Sequence, residues 1–266
     1  MTLARRLLLP FLTLFASLLL AACATQPATP AAAPRTAMDQ TDADRRASVR
    51  IELAAGYFSR GQYSTALDEV KMALQLRPGL REAINLRGLI YGAMGERALA
   101  EESFRNALSL YPNDADTLHN YGWMLCQERR YAEAGQQFEL ALAQANYRAP
   151  SRTLLAKGVC EAQAKQYDAA EKTLLHAFEF DPGNPAVAFN LADVLYRNRQ
   201  YERARFYIKR VNSQQDQSNA QSLWLGLRIE RRMHDSVAVS DLGRQLRQRF
   251  SDAPETQALN AERFDD

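Results

Sequence analysis

The sequence predicts an all-α fold: a superhelical solenoid of six helix-turn-helix units. Three observations carry this. Residue classes recur with a period of 34, short polar turns recur at the same phase, and the stretch before the repeats, residues 24–46, has a composition that cannot build a core.

The period is read from three series. Small residues stand at Ala54, Gly88, Gly122, Gly158, Ala192 and Gly226, spaced 34, 34, 36, 34 and 34. Ala66, Ala100, Ala134, Ala170, Ala204 and Ala238 repeat those spacings. Large apolar residues follow four positions later, at Val70, Phe104, Phe138, Leu174, Ile208 and Leu242. Pro78, Pro112 and Pro182 then stop the second helix of three units. This is the tetratricopeptide (TPR) pattern. Its physics is simple: two antiparallel helices cross closely only where both carry small residues, and a bulky residue one turn on fills the space beside the crossing.

The units run 47–80, 81–114, 115–148, 151–184, 185–218 and 219 to about 250. The turns SRGQY, AMGER, QERRY, AKQY and NRQY join the helices of the first five. Two extra residues, Ala149 and Pro150, separate units three and four, where a hinge or a change of superhelical pitch is expected. The sixth unit is degenerate. Residues 251–266 are expected to form a capping helix and tail, because a terminal repeat needs a polar outer face.

The leader is read from its charge and hydropathy. Arg5 and Arg6 precede an apolar run from Leu7 to Leu20, a positive region and an apolar core of signal-peptide length that is too short to span a membrane. Leu20, Ala21, Ala22 and Cys23 resemble the lipobox of bacterial lipoproteins. That resemblance implies a signal peptide over 1–22, diacylglycerol on the Cys23 thiol and an acyl chain, such as palmitate, on its amino group. Ala24 follows where Asp would imply inner-membrane retention, so the implied location is the periplasmic face of the outer membrane. Several acyl chains give a stable anchor where one is marginal. The Pro/Ala/Thr-rich stretch 23–46 reads as a flexible tether.

Composition and motifs then exclude functions. The chain has 33 basic and 31 acidic residues, and removal of Arg5 and Arg6 with the signal leaves the charges balanced, against a nucleic-acid partner. His119, His176 and His234 fall at different phases of different units and suggest no metal site. No phosphate-binding loop, dinucleotide fingerprint or nucleophile elbow occurs. An enzyme is not expected, nor any cofactor besides the lipid on Cys23, nor a small-molecule substrate.

Cys126 and Cys160 lie in the first helices of adjacent units, near enough in register for a disulfide that an oxidising periplasm would favour; the other reading is two small buried thiols. A bond here would lock units three and four where the insertion loosens them. The general TPR pattern puts the partner-binding groove on the first helices. Carried over, it selects Asn85 and Leu89 in unit two, His119 and Trp123 in unit three, Leu155 and Val159 in unit four, and Phe189 and Tyr196 in unit five. Trp123 between Leu89 and Val159 would make an apolar strip with polar edges; alternatively it packs inside the solenoid.

The third unit reads LHNYGWMLCQERRYAEAGQQFELAL. Asn120, Tyr121, Gly122, Leu125 and Cys126 are similar to the Asn-Tyr-Gly-x-x-Leu-Cys stretch of the type IV pilus biogenesis/stability lipoproteins, the pilotins called PilF or PilW. That resemblance implies an adaptor with no reaction of its own, which carries the secretin PilQ to the outer membrane and promotes its multimerisation. A second reading shares the anchor and scaffold: a TPR lipoprotein that docks or regulates cell-wall enzymes or proteases in the periplasm.

Overall fold

The computed structural model describes residues 37–264, and the side chains from residue 42. The signal peptide, Cys23 and tether residues 23–36 lie outside the described residues. Among those described there are thirteen helices and no strand. The chain divides between Arg45 and Arg46, and the repeats belong to the second unit, Arg46–Asp266.

The first helices of the repeats are α1 (Ala37–Ser59), α3 (Arg81–Ala93), α5 (Ala115–Gln127), α7 (Pro150–Gln163), α9 (Pro185–Arg197) and α11 (Ala220–Arg232). Their partners are α2 (Tyr63–Leu76), α4 (Arg97–Leu110), α6 (Tyr131–Leu142), α8 (Tyr167–Phe180), α10 (Tyr201–Asn212) and α12 (Ser236–Arg249), and α13 (Pro254–Asn260) follows. Helix α1 corrects one expectation. Residues 37–46, read as the end of a flexible tether, are helical. After Pro34 the stretch AMDQTDADRRA contains no Pro or Gly, and its acidic residues come early, where they favour a helix N-terminus.

Within each pair, the crossing is as tight as the small-residue series requires. A Cβ added to Gly88 would lie 2.7 Å from the Phe104 ring, one on Gly122 would lie 2.9 Å from the Phe138 ring, and one on Gly158 would lie 2.5 Å from Leu174. Those large residues are themselves sealed in: Phe104, Phe138 and Leu174 are at most 1 % exposed. Neither side has room to move. In the sixth unit Gly226 faces Asn212 more closely than Leu242, and Ala238 and Leu242 are only half buried, which is how its degeneracy appears in three dimensions.

The turns inside the pairs share one construction. The chain leaves the first helix through a residue in the left-handed region: Gly61 and Gly95, then Arg129, Lys165, Arg199 and His234, all with φ between 60° and 81°. In unit three the Arg130 N–H donates to the Leu125 carbonyl and the Arg129 N–H to the Cys126 carbonyl, both at 2.9 Å, satisfying the end of α5.

The seam between units three and four is densely bridged. Pro150 occupies the first turn of α7, where its missing N–H costs nothing. Tyr147, in the inserted loop, shares a 2.6 Å hydrogen bond with Thr153, whose hydroxyl also meets His119 Nδ1 at 2.9 Å. Arg152 binds Asp116 at 2.6 Å and Lys157 binds Glu139 at 2.9 Å. His119 is therefore not a groove residue as the TPR pattern suggested. It is 8 % exposed, turned into the seam by its bond to Thr153 and by packing near the Phe138 ring.

The solenoid ends in a closed cap. Leu259 of α13 joins Leu223, Leu227 and Leu246, and the Thr256 hydroxyl donates to the Phe250 carbonyl at 2.6 Å. Phe264 stacks on Trp224 with centroids 5.6 Å apart, and the Arg231 guanidinium lies over the Phe264 ring, 4.0 Å from its centre.

Two predictions follow from these contacts. Gly158→Ala should cost about 1–3 kcal/mol, because Leu174 cannot retreat, whereas Gly92→Ala, whose added Cβ meets only Ala100 at 4.0 Å, should be neutral or stabilise by up to about 1 kcal/mol; chemical denaturation of both variants measures this. Burial, reinforced by nearby Arg152 and opposed by Asp116, lowers the His119 pKa to about 4. The unfolded chain, titrating near 6.5, takes up this proton first, so stability is lost as pH falls from about 6.5 to about 4. Between pH 7 and pH 5 wild type should lose about 2 kcal/mol more than His119→Asn; equal losses would remove His119 from the acid response.

Candidate partner-binding cleft

An apolar cleft of about 550 Å3 opens between α3 and α5. Leu89, Gly92 and Ala93 line it from α3, and Asn120, Trp123 and Met124 from α5. Trp123 forms a wall and stays 37 % exposed, so the reading that packs it inside the solenoid does not hold. The cleft exists because of Gly92. In repeat register this position is Phe58, Cys126, Ala162, Tyr196 and Glu230 in the other units. A glycine there leaves the space beside Trp123 unfilled.

Polar groups edge the cleft. The Asn120 side-chain amide donates to Asn85 Oδ1 at 3.1 Å, which leaves the Asn85 amide N–H groups and the Asn120 carbonyl oxygen for a further partner. Arg97 and Glu128 stand at the rim with opposite charge. An aromatic wall, an apolar floor and unspent amide groups suit an extended polypeptide carrying a bulky apolar side chain.

The other expected groove residues are distributed along the solenoid. Leu89 packs partly against the cores of units two and three. Leu155, Phe189 and Tyr196 are half buried against the core of units four to six, and Val159 is half buried on α7. Sequence reasoning missed Gly92, Asn120 and Met124. Aligning the units would have singled out Gly92, since it breaks its column.

The Asn-Tyr-Gly-x-x-Leu-Cys stretch has a structural task at each named position. Asn120 bonds Asn85 across units, and the Tyr121 hydroxyl donates to Glu101 at 2.8 Å. Gly122 admits Phe138, and Leu125 is 1 % exposed in the core. Cys126 faces Cys160 with Cα atoms 5.8 Å apart, inside disulfide range. Around Tyr121, Arg130 binds Glu101 at 2.9 Å and Glu133 at 2.6 Å. The Arg130 guanidinium holds the Glu101 carboxyl below its ordinary range, and burial pushes the Tyr121 phenol up. The stretch thus staples α5 to both neighbouring units while it presents Trp123 to the cleft. Among the described residues no group of His, Cys, Asp and Glu could hold a metal ion, and no helix is long and apolar enough to cross a membrane.

Comparison with known proteins agrees with this architecture. Tetratricopeptide repeat profiles match residues 82–114, 103–136 and 160–224. The type IV pilus assembly protein PilF of Pseudomonas aeruginosa is 30% identical over 220 residues, covering 83% of this chain and 87% of PilF. The crystal structure of PilW, described as a widely conserved type IV pilus biogenesis factor, superposes with a TM-score of 0.75 at 31% identity over 80% of this chain and 98% of PilW. A solved structure of Pseudomonas aeruginosa PilF gives 0.73 at 30% identity, covering 84% of this chain and all of that one, 100%. An all-α TPR solenoid with relatives of this extent is placed without ambiguity: the chain belongs to the PilF/PilW family of type IV pilus biogenesis TPR proteins.

Proposed function

We propose that this protein is a pilotin: an adaptor, anchored in the outer membrane by lipid on Cys23, that binds the type IV pilus secretin PilQ and promotes its localisation and multimerisation. The observation that carries the reading is the Trp123 cleft. It is the kind of seat a protein segment takes, on a chain whose relatives are pilus biogenesis factors and whose motif residues hold that cleft in place. The acyl chains would route the complex to the outer membrane, and copies gathered there would raise the effective concentration of secretin subunits. The adaptor needs no catalytic group.

The Cys126–Cys160 pair fits a covalent bond, and in an oxidising periplasm the bond would hold α5 and α7 together behind the cleft. Its loop has a sequence separation of 34 residues. Closing a loop of that length in the unfolded chain is worth about 3–4 kcal/mol. The double substitution Cys126→Ser/Cys160→Ser should therefore lower stability by that order. Maleimide labelling of the denatured mature protein should modify these thiols only after reduction; labelling before reduction would show the bond absent.

The functional test is the abundance of heat- and detergent-resistant secretin multimers in outer-membrane fractions. Deletion of the gene should abolish them, and Cys23→Ala should mislocalise the secretin. Trp123→Ala should lower multimer abundance severalfold while thermal stability stays within about 1.5 kcal/mol of wild type. Filling the cleft with Gly92→Leu should have the same effect. Multimers unchanged in all these strains would overturn the pilotin reading and turn attention to cell-wall enzymes or proteases as clients.

A further inference from the structure

Units five and six hold a second cleft, of about 480 Å3, between α9 and α11 and against the start of α13. Phe189, Asp193 and Arg197 line it from α9, Trp224 and Arg228 from α11, and Glu255 from α13. Arg228 breaks the repeat. Its column reads Gly56, Ile90, Met124, Cys160 and Val194 in the preceding units, with no charged residue among them. Ile90, Cys160 and Val194 are at most 3 % exposed. Solenoid packing asks for an apolar side chain there, and this unit supplies a guanidinium.

The geometry around Arg228 is the counterpart of the cysteine pair. Cys160 meets Cys126 across one seam, and at the same register Arg228 lies 4.9 Å from the centre of the Tyr196 ring across another. Its Nε is buried and has no hydrogen-bond acceptor among the described residues. An unpaired buried donor is unfavourable, and more so when it belongs to a charged group. The ring face returns part of that and does nothing for the N–H itself. Neighbouring carboxylates do not answer the need. Asp193 is engaged by Arg197 Nε at 2.7 Å, and Glu255, in the first turn of α13, makes no ion pair with Arg228 among the described residues.

From this we infer that the cleft binds an acidic peptide segment. A carboxylate of the segment meets the terminal N–H groups of Arg228, which lines the cleft and has no ion pair among the described residues, while the buried Nε stays beneath them, and an adjacent apolar side chain rests between Phe189 and Trp224. The planar fork of arginine suits a carboxylate, and the aromatic walls select its neighbour. Residues 185–250 support the sign of the partner, with twelve Lys and Arg against six Asp and Glu. The inference concerns the chemistry of the bound segment and does not depend on the client being a secretin.

The test uses the mature protein and two labelled heptapeptides, Gly-Phe-Glu-Asp-Glu-Phe-Gly and its amide counterpart Gly-Phe-Gln-Asn-Gln-Phe-Gly, in fluorescence anisotropy at low salt. The acidic peptide should bind at least about tenfold tighter, with added salt narrowing the gap. Arg228→Gln should erase the difference. Equal binding of both peptides to wild type, or unchanged discrimination in Arg228→Gln, overturns the proposal. Should Arg228→Gln fail to fold, as judged by helicity and melting, Arg228→Lys decides. It keeps the charge without the fork and should lose at least about threefold in affinity for the acidic peptide; no loss overturns the proposal. Secretin multimers are read in a separate assay, so failure here leaves the pilotin reading standing, and the reverse holds too.

Discussion

The close approach of a glycine on one helix to a large ring or branched side chain on its partner is the constraint on which everything else rests. Gly88 with Phe104, Gly122 with Phe138 and Gly158 with Leu174 bring paired helices within reach of each other's backbones. Once that distance is set, the neighbouring first helices lie side by side. Only then can a residue on α3 and one on α5 share a cleft, or a residue on α5 and one on α7 meet sulfur to sulfur. Both clefts and the cysteine pair lie on the seams between repeats, and the seams inherit their geometry from the crossings within them.

Much of the fold was legible because periodicity is a strong physical signal. Small and large residues that recur in register leave few alternatives to a stacked helical hairpin. What was not legible is what breaks the register or lies across it. The TPR pattern assigned His119 to the groove from its phase alone, and a hydrogen bond to Thr153, together with burial near Phe138, turns it the other way. The start of α1 at Ala37 was hidden because a proline-rich stretch coloured the reading of the residues after it. Gly92 and Arg228 were both visible as exceptions to their columns. Their meaning needed three dimensions: one lines a cleft without a side chain to fill it, and the other brings a guanidinium onto a tyrosine ring with its Nε lacking an acceptor.

The same register position is used in two chemically distinct ways along the solenoid. Between units three and four it brings two cysteines together, at the place where two inserted residues would otherwise relax the stack. Between units five and six it sets a guanidinium on a tyrosine ring. The first arrangement places two small sulfur side chains against each other in the core of the seam. The second sets a charged group on an aromatic face and leaves its buried Nε without a hydrogen-bond acceptor.

The cap made by α13, Trp224 and Phe264 has a consequence beyond closing the core. Helical arrays grow into fibres when the face at one end can receive the face at the other, copy after copy. Here the far end is already occupied by the chain's own helix and sealed by an aromatic pair under an arginine. Head-to-tail stacking through that end would have to displace α13 and part Phe264 from Trp224, so the cap opposes open-ended growth of the array.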